Sequence, residues 1–190
     1  MTGEPIKVTK LVKRFGSLEV LRGINVGGRN RVPMADLKVL LTDLGATSVT
    51  TYLQSGQAVV DLAPARVDGF GDRVHAGLSE RLGLDIAVLT RTPAELAAVG
   101  AANPYPHLVP TPKRLHAVFL DQTPDAAKVA SVGTRHGDDE FTVGDRVLYL
   151  AFSATSHDSP LVAALRRIGG VQTGRNWTTV LRLLELTRTH

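Results

Sequence analysis

Between residues 18 and 91 the apolar residues alternate between the two-residue period of a strand and the 3.6-residue period of a helix, and the order of that alternation constrains the fold most. LEVLRGINV (18–26) reads as a strand and Gly27-Gly28 as a turn. Pro33 opens a helix through Leu44 on which Leu37, Leu40, Leu41 and Leu44 share a face, and Gly45 stops it. TSVTTYL (47–53) and QAVVDL (57–62) are β-branched runs joined by Gln54-Ser55-Gly56, a hairpin signal. Val67, Phe70, Val74, Leu78 and Leu82 mark a helix over 66–82, and LDIAVLT (84–90) reads as a buried strand. The order βαββαβ is that of a ferredoxin-like sandwich, an antiparallel four-stranded sheet with two helices on one face. The expected class is therefore α+β, with a ferredoxin-like first subdomain over 18–91.

Thr92 and Glu95 stand in capping-box order before a helix that runs to about Ala102. Pro104, Pro106, Pro110 and Pro112 then fall within nine residues, which excludes helix and central strand, so 92–113 reads as a helix and proline-rich linker. Beyond it come a strand (114–120), a helix (124–132), strands at 140–143 and 146–152, a helix (160–168) and a last helix from about 175 to 187. The second subdomain, 114–190, is thus expected to be a smaller βαββαα unit. No segment-level repeat is visible, although the two halves share most of their element order.

With 190 residues, 43% of them hydrophobic and 21% charged, the chain has globular composition, and no apolar run approaches the roughly 20 residues of a membrane span. It contains no Cys, which removes disulfides, thiolate metal sites and Cys nucleophiles, and its start lacks the apolar stretch of a signal peptide. A soluble, cytoplasmic protein with no membrane partner is expected. The formal charge of +4 and pI of about 9.7 invite a nucleic-acid reading. Residues 1–17 alone carry +3, however, as a basic N-terminal extension, and residues 121–145 carry −4.

The leading candidate site is the connection Asn25 to Arg31. There Gly27 and Gly28 follow a strand and precede a helix, so their backbone N–H groups can meet an anion beside Arg22, Arg29 and Arg31. The competing reading is a tight turn with solvated arginines. Ser55 resembles an exposed nucleophile, but no His or acid is assignable to it and turn chemistry explains it as well. His136, Asp138, Asp139 and Glu140 are the densest set of ligating side chains, yet their spacing fits no metal motif and a solvated turn accounts for them. Trp177, beside Arg175 and Asn176, is either a stacking platform or packing at a helix start. Base stacking from the central strands of the first sheet is disfavoured, because 18–26 and 57–62 hold no aromatic residue. Phe119, Phe141, Tyr149 and Phe152 suit a core with one ring left exposed. No catalytic group, metal or cofactor is implied. An anion-binding module, taking nucleic acid or a phosphorylated small molecule, therefore stands beside two alternatives: an enzyme with a pocket between the subdomains, near His107 or His116, and a protein-interaction module.

Five blocks, LRGINVGGRNRVPMADLKVLL, TYLQSGQAVVD, ANPYP, PKRLHAVFL and TGRNWTTVLRLLEL, match in order a bacterial domain-of-unknown-function family, DUF1697, over residues 20–187. The resemblance implies a two-part α+β protein with a ferredoxin-like first half and brings no activity. The chain departs from the usual pattern at Gln57, at Gly174 and in the loop SATSHDSPL. Separately, residues 1–26 resemble the opening of an ABC-transporter ATPase, through Lys13, Phe15, Gly16, Val20, Leu21, Gly23 and Ile24. No GxxxxGK[ST] phosphate loop follows, because none of the six lysines succeeds a Gly. Residues 1–17 then read as foreign to the domain, and no specific ATP binding is expected.

Overall fold

The computed structural model describes residues 16–21, 32–52, 56–157 and 159–189. In the first half, β1 (Gly16–Leu21) is followed by α1 (Met34–Asp43), the hairpin strands β2 (Ser48–Tyr52) and β3 (Gln57–Asp61), α2 (Phe70–Leu82) and β4 (Val88–Arg91). These strands form an antiparallel sheet in the order β2-β3-β1-β4. The helix stops follow from backbone chemistry. Gly83, at φ 65°, takes the left-handed conformation after α2, and the N–H groups of Gly83 and Leu84 close back on Ser79 and Leu78.

Next comes α3 (Pro93–Ala101), which opens with the full capping box: the Thr92 hydroxyl accepts from the Glu95 N–H and the Glu95 carboxylate accepts from the Thr92 N–H. The second half runs β5 (Leu115–Leu120), α4 (Ala126–Val132), β6 (Arg135–His136), β7 (Asp139–Gly144), β8 (Val147–Ala151), α5 (Pro160–Leu165), β9 (Gln172–Asn176) and α6 (Trp177–Thr189). Its antiparallel sheet has the order β6-β7-β8-β5-β9.

The alternating burial of the central strands shows how the layers stack. Ala58 and Val60 of β3 join Leu37, Leu40 and Leu41 of α1 and Phe70, Val74 and Leu78 of α2 in one cluster. Val59, facing the other way, joins Leu96 and Val99 of α3, Ala117 and Phe119 of β5, and Trp177, Val180 and Leu183 of α6. Val118, Leu120, Leu148 and Leu150 face a third cluster with Val132 of α4 and Leu161 and Leu165 of α5. The molecule is therefore five layers deep: α1 and α2, the first sheet, α3 with α6, the second sheet, then α4 and α5. Tyr105 and Leu108, in the proline-rich stretch, are buried in the middle layer.

Four expectations need correction. The second half is not βαββαα: the short β6 precedes β7, and a further strand, β9, precedes the last helix and pairs along β5, with Thr173 opposite Phe119 and Asn176 opposite His116. QTGRN carries little strand propensity, and its place comes from backbone pairing at the open edge of β5. Helix α6 accordingly starts at Trp177 rather than near 175, with the Asn176 side chain accepting from the Thr179 N–H. The fourth strand starts at Val88 rather than at Leu84, and β1 at Gly16, so Gly16 and Ser17 already pair with Asp61 and Val60.

Candidate functional site

Arg22, Asn25, Gly27, Gly28, Arg29 and Arg31 lie outside the described residues, as do Phe15 and Ser55. The anchors of their segment are described. Leu21, the last residue of β1, pairs with Val88, and Val20 pairs with Gln57. Antiparallel register thus brings the end of β1, the beginning of β3 after the Gln54-Ser55-Gly56 turn and the beginning of β4 to one end of the first sheet. The buried Val32 and then Pro33 lead into α1 at Met34. Asp36 in the first turn of α1 satisfies part of the positive end of that helix dipole.

The other candidates resolve into structure. Asp139 is buried and accepts from the Ser153 N–H at 2.7 Å, the Ser153 hydroxyl at 2.8 Å and the Ser159 hydroxyl at 2.5 Å. Burial penalises its charge, but these hydrogen bonds outweigh that and hold the carboxyl below the usual aspartate range. It pins the start of α5 to the sheet. Among the described residues no three His, Asp or Glu side chains are grouped to hold a metal ion. Trp177 is 2% exposed and lies tilted on Tyr149, ring centroids 6.4 Å apart, so it is core and not a stacking platform. Phe119, Phe141, Tyr149 and Phe152 are all buried, and no ring of that set is left exposed. His107 is exposed, whereas His116 is half-buried against Phe152, ring centroids 5.0 Å apart.

Sequence reading missed a polar junction between the two sheets. Arg91, at the end of β4, is 4% exposed, and its guanidinium donates to the carbonyls of Thr90, Leu120 and Arg146 while lying over the Phe119 ring. Burial, and next the neighbouring Arg146 charge, lower its pKa. Arg146 in turn pairs with Glu95, the residue that caps α3. Burial pushes the Glu95 carboxyl up, but the Thr92 N–H and Arg146 pull it further down, below its ordinary value. A cavity of about 280 Å³ lies here, with Arg91, Glu95 and Ala98 on one side and Thr142, Asp145 and Arg146 on the other. Only the Thr92–Glu95 spacing pointed toward this junction. Arg146 sits at φ 49°, an unusual backbone for a non-glycine residue, in the turn between β7 and β8.

No described helix is long and apolar enough to cross a membrane. No curated protein matches the chain. A solved structure, conserved bacterial protein SP0830 from Streptococcus pneumoniae, superposes with a TM-score of 0.72 at 20% identity, over 92% of this chain and 99% of that one. At that identity the likeness speaks for the fold. The sequence profile described as "Protein of unknown function (DUF1697)" matches residues 18–149, well over half of the chain. By that match, the chain belongs to the DUF1697 family.

Proposed function

We propose that this protein is a cytoplasmic binding module for a phosphate-bearing anion, nucleic acid or phosphorylated small molecule, held by the basic Gly-Gly connection between β1 and α1. In this reading each half is a ferredoxin-like unit, 16–91 and 114–190, joined by the helix and proline-rich stretch 92–113, with residues 1–15 an added basic extension. The strand order β2-β3-β1-β4 supports the first unit and β7-β8-β5-β9 the second, with β6 an added edge. The observation that carries the functional reading is the register of β1. It brings Leu21, from which the Arg22–Arg31 segment leaves, and Gln57, which follows the Gln54-Ser55-Gly56 turn, to the same sheet end, which supports a reading in which backbone N–H groups and arginines converge on one ligand.

A second reading, a small-molecule enzyme, draws on the cavity of about 280 Å³ between the two sheets. Its charged groups are largely satisfied by one another, Arg146 by Glu95 and Arg91 by three carbonyls, which favours a structural junction over a catalytic one.

The test is fluorescence anisotropy with labelled single-stranded RNA, alongside calorimetry with inorganic pyrophosphate, both near physiological salt. Deleting residues 1–15 removes the basic extension as a source of salt-sensitive binding. In that truncated protein Arg29→Ala with Arg31→Ala is expected to weaken binding by about 1–3 kcal/mol per charge-assisted hydrogen bond lost. Stability should change by less than about 0.5 kcal/mol. Binding that is absent, or indifferent to both arginines, removes the anion-binding reading.

A further inference from the structure

The outer layer of the second sheet contains a space that neither the junction nor the Gly-Gly connection uses. On β9 the positions facing α5 are Gln172 and Gly174, and neither supplies an apolar side chain to the layer. Gln172 spends its amide N–H groups on the carbonyls of Leu165 and Gly169, at 3.2 and 2.7 Å, which ties the end of α5 to the strand. Gly174 offers only backbone. The helix is thereby held over the sheet with a cavity of about 270 Å³ beside it.

The chemistry of this cavity is specific. Val118, Leu150, Phe152 and Leu165 form its walls, and Val162, 39% exposed, stands at its rim. Among the described residues no acidic side chain lines it. Arg166 lies at the mouth, exposed, with no ion pair among the described residues. His116 lines the interior, where burial lowers its pKa and disfavours a second cation. A positive charge with no ion pair among the described residues, at the edge of a largely apolar hollow, suits a molecule with a compact apolar body and one negative group. The volume, just under the usual range of about 300–1,000 Å³ for ligand pockets, limits that body to about one ring.

We propose that the cavity between α5 and β9 binds a small monocarboxylate with an aromatic or branched aliphatic body, which lies against Phe152 and Leu165 with its carboxylate at Arg166. This site is independent of the anion-binding reading above and survives or fails separately from it.

The test uses fluorine NMR with the full chain and two probes of the same shape, 4-fluorobenzoate and the uncharged 4-fluorobenzyl alcohol. The carboxylate is expected to bind about fivefold more tightly than the alcohol, the contribution of one exposed charge pair. Arg166→Gln should erase that preference while leaving the alcohol's affinity unchanged. Gly174→Val should fill the cavity and abolish binding of both. Gly174→Ala, whose Cβ would meet Val118 at an ordinary 3.7 Å, serves if the valine variant does not fold, and should weaken both probes. Arg29→Ala with Arg31→Ala should change neither. Failure of the wild-type chain to bind either probe overturns the proposal. So does binding undiminished in a folded Gly174 variant, or a carboxylate preference that survives Arg166→Gln.

Discussion

The two halves cover the outer faces of their sheets in different ways. On the first sheet, helices of 10 and 13 residues meet across Gly77, where a Cβ would stand 2.5 Å from the Leu40 side chain, so the apolar layer is drawn tight. On the second, α4 and α5 have 7 and 6 residues, and α5 is fastened by polar pins, Asp139 to Ser159 and Gln172 to Leu165 and Gly169. A hydrogen bond fixes a distance without filling the volume beneath it, whereas interdigitated side chains do both. The space beside β9 follows from that difference. One strand order can thus carry a smaller hollow, about 190 Å³ between α1 and α2, on one sheet and a larger one, about 270 Å³, on the other.

The middle layer belongs to both halves, so the largest effect is expected there. Trp177→Ala should cost about 3–5 kcal/mol, the usual range for removing a buried tryptophan, and urea unfolding should show both halves weakened in one transition. Loss of the second sheet alone would break the picture of a shared core. Asp139→Asn should cost about 1–3 kcal/mol near neutral pH, by disturbing a carboxylate that accepts three hydrogen bonds. Because the folded carboxyl titrates below its ordinary value of 3.8, its contribution is complete above that value and is lost as the pH falls through the folded pKa. The difference between wild type and Asp139→Asn, followed by denaturant titration, should therefore shrink on acidification below the ordinary value. A difference that grows instead would mean the carboxyl is protonated in the folded protein.

Matched glycine substitutions sharpen the comparison. Gly77→Ala forces a methyl into Leu40 where α1 and α2 approach most closely, an overpacking cost of about 1–3 kcal/mol that the helix propensity of alanine offsets by about 1 kcal/mol. A net loss of about 1 kcal/mol in thermal unfolding is expected. Gly174→Ala meets only an ordinary contact beside a hollow and should stay within about 0.5 kcal/mol of wild type. Equal losses at the two positions would show that the second layer is as tightly filled as the first.

Much of this architecture could be read from the chain because the signals were local. Leu37, Leu40 and Leu41 on one face of α1, the Thr92–Glu95 box and the β-branched runs flanking Gln54-Ser55-Gly56 each state their own conformation. Strand β9 was not legible, because Gln172, Gly174 and Asn176 say nothing of strand until β5 offers an edge to pair with. The proline-rich stretch misled in another way. Its backbone breaks regular structure, as the prolines require, yet Tyr105 and Leu108 are core residues, with the Tyr105 hydroxyl hydrogen-bonded to Thr142 at 2.9 Å. Nothing in the sequence singles out Arg91, since what makes it unusual, hydrogen bonds to the carbonyls of Leu120 and Arg146 far along the chain, forms only once the sheets meet. The candidate site stood out in the sequence by glycine and arginine spacing, and of it the structure places only the anchor Leu21, at one end of the first sheet.

That address can be tested residue by residue with a proton–nitrogen correlation spectrum of the full chain, titrated with inorganic tripolyphosphate near physiological salt. The largest shifts are expected on the amides of Gly27, Gly28 and Arg29, with smaller ones at Ser55 and Gly56 and none at Gly174. Shifts confined to Lys7, Lys10 and Lys13, or spread evenly over surface arginines, would contradict it.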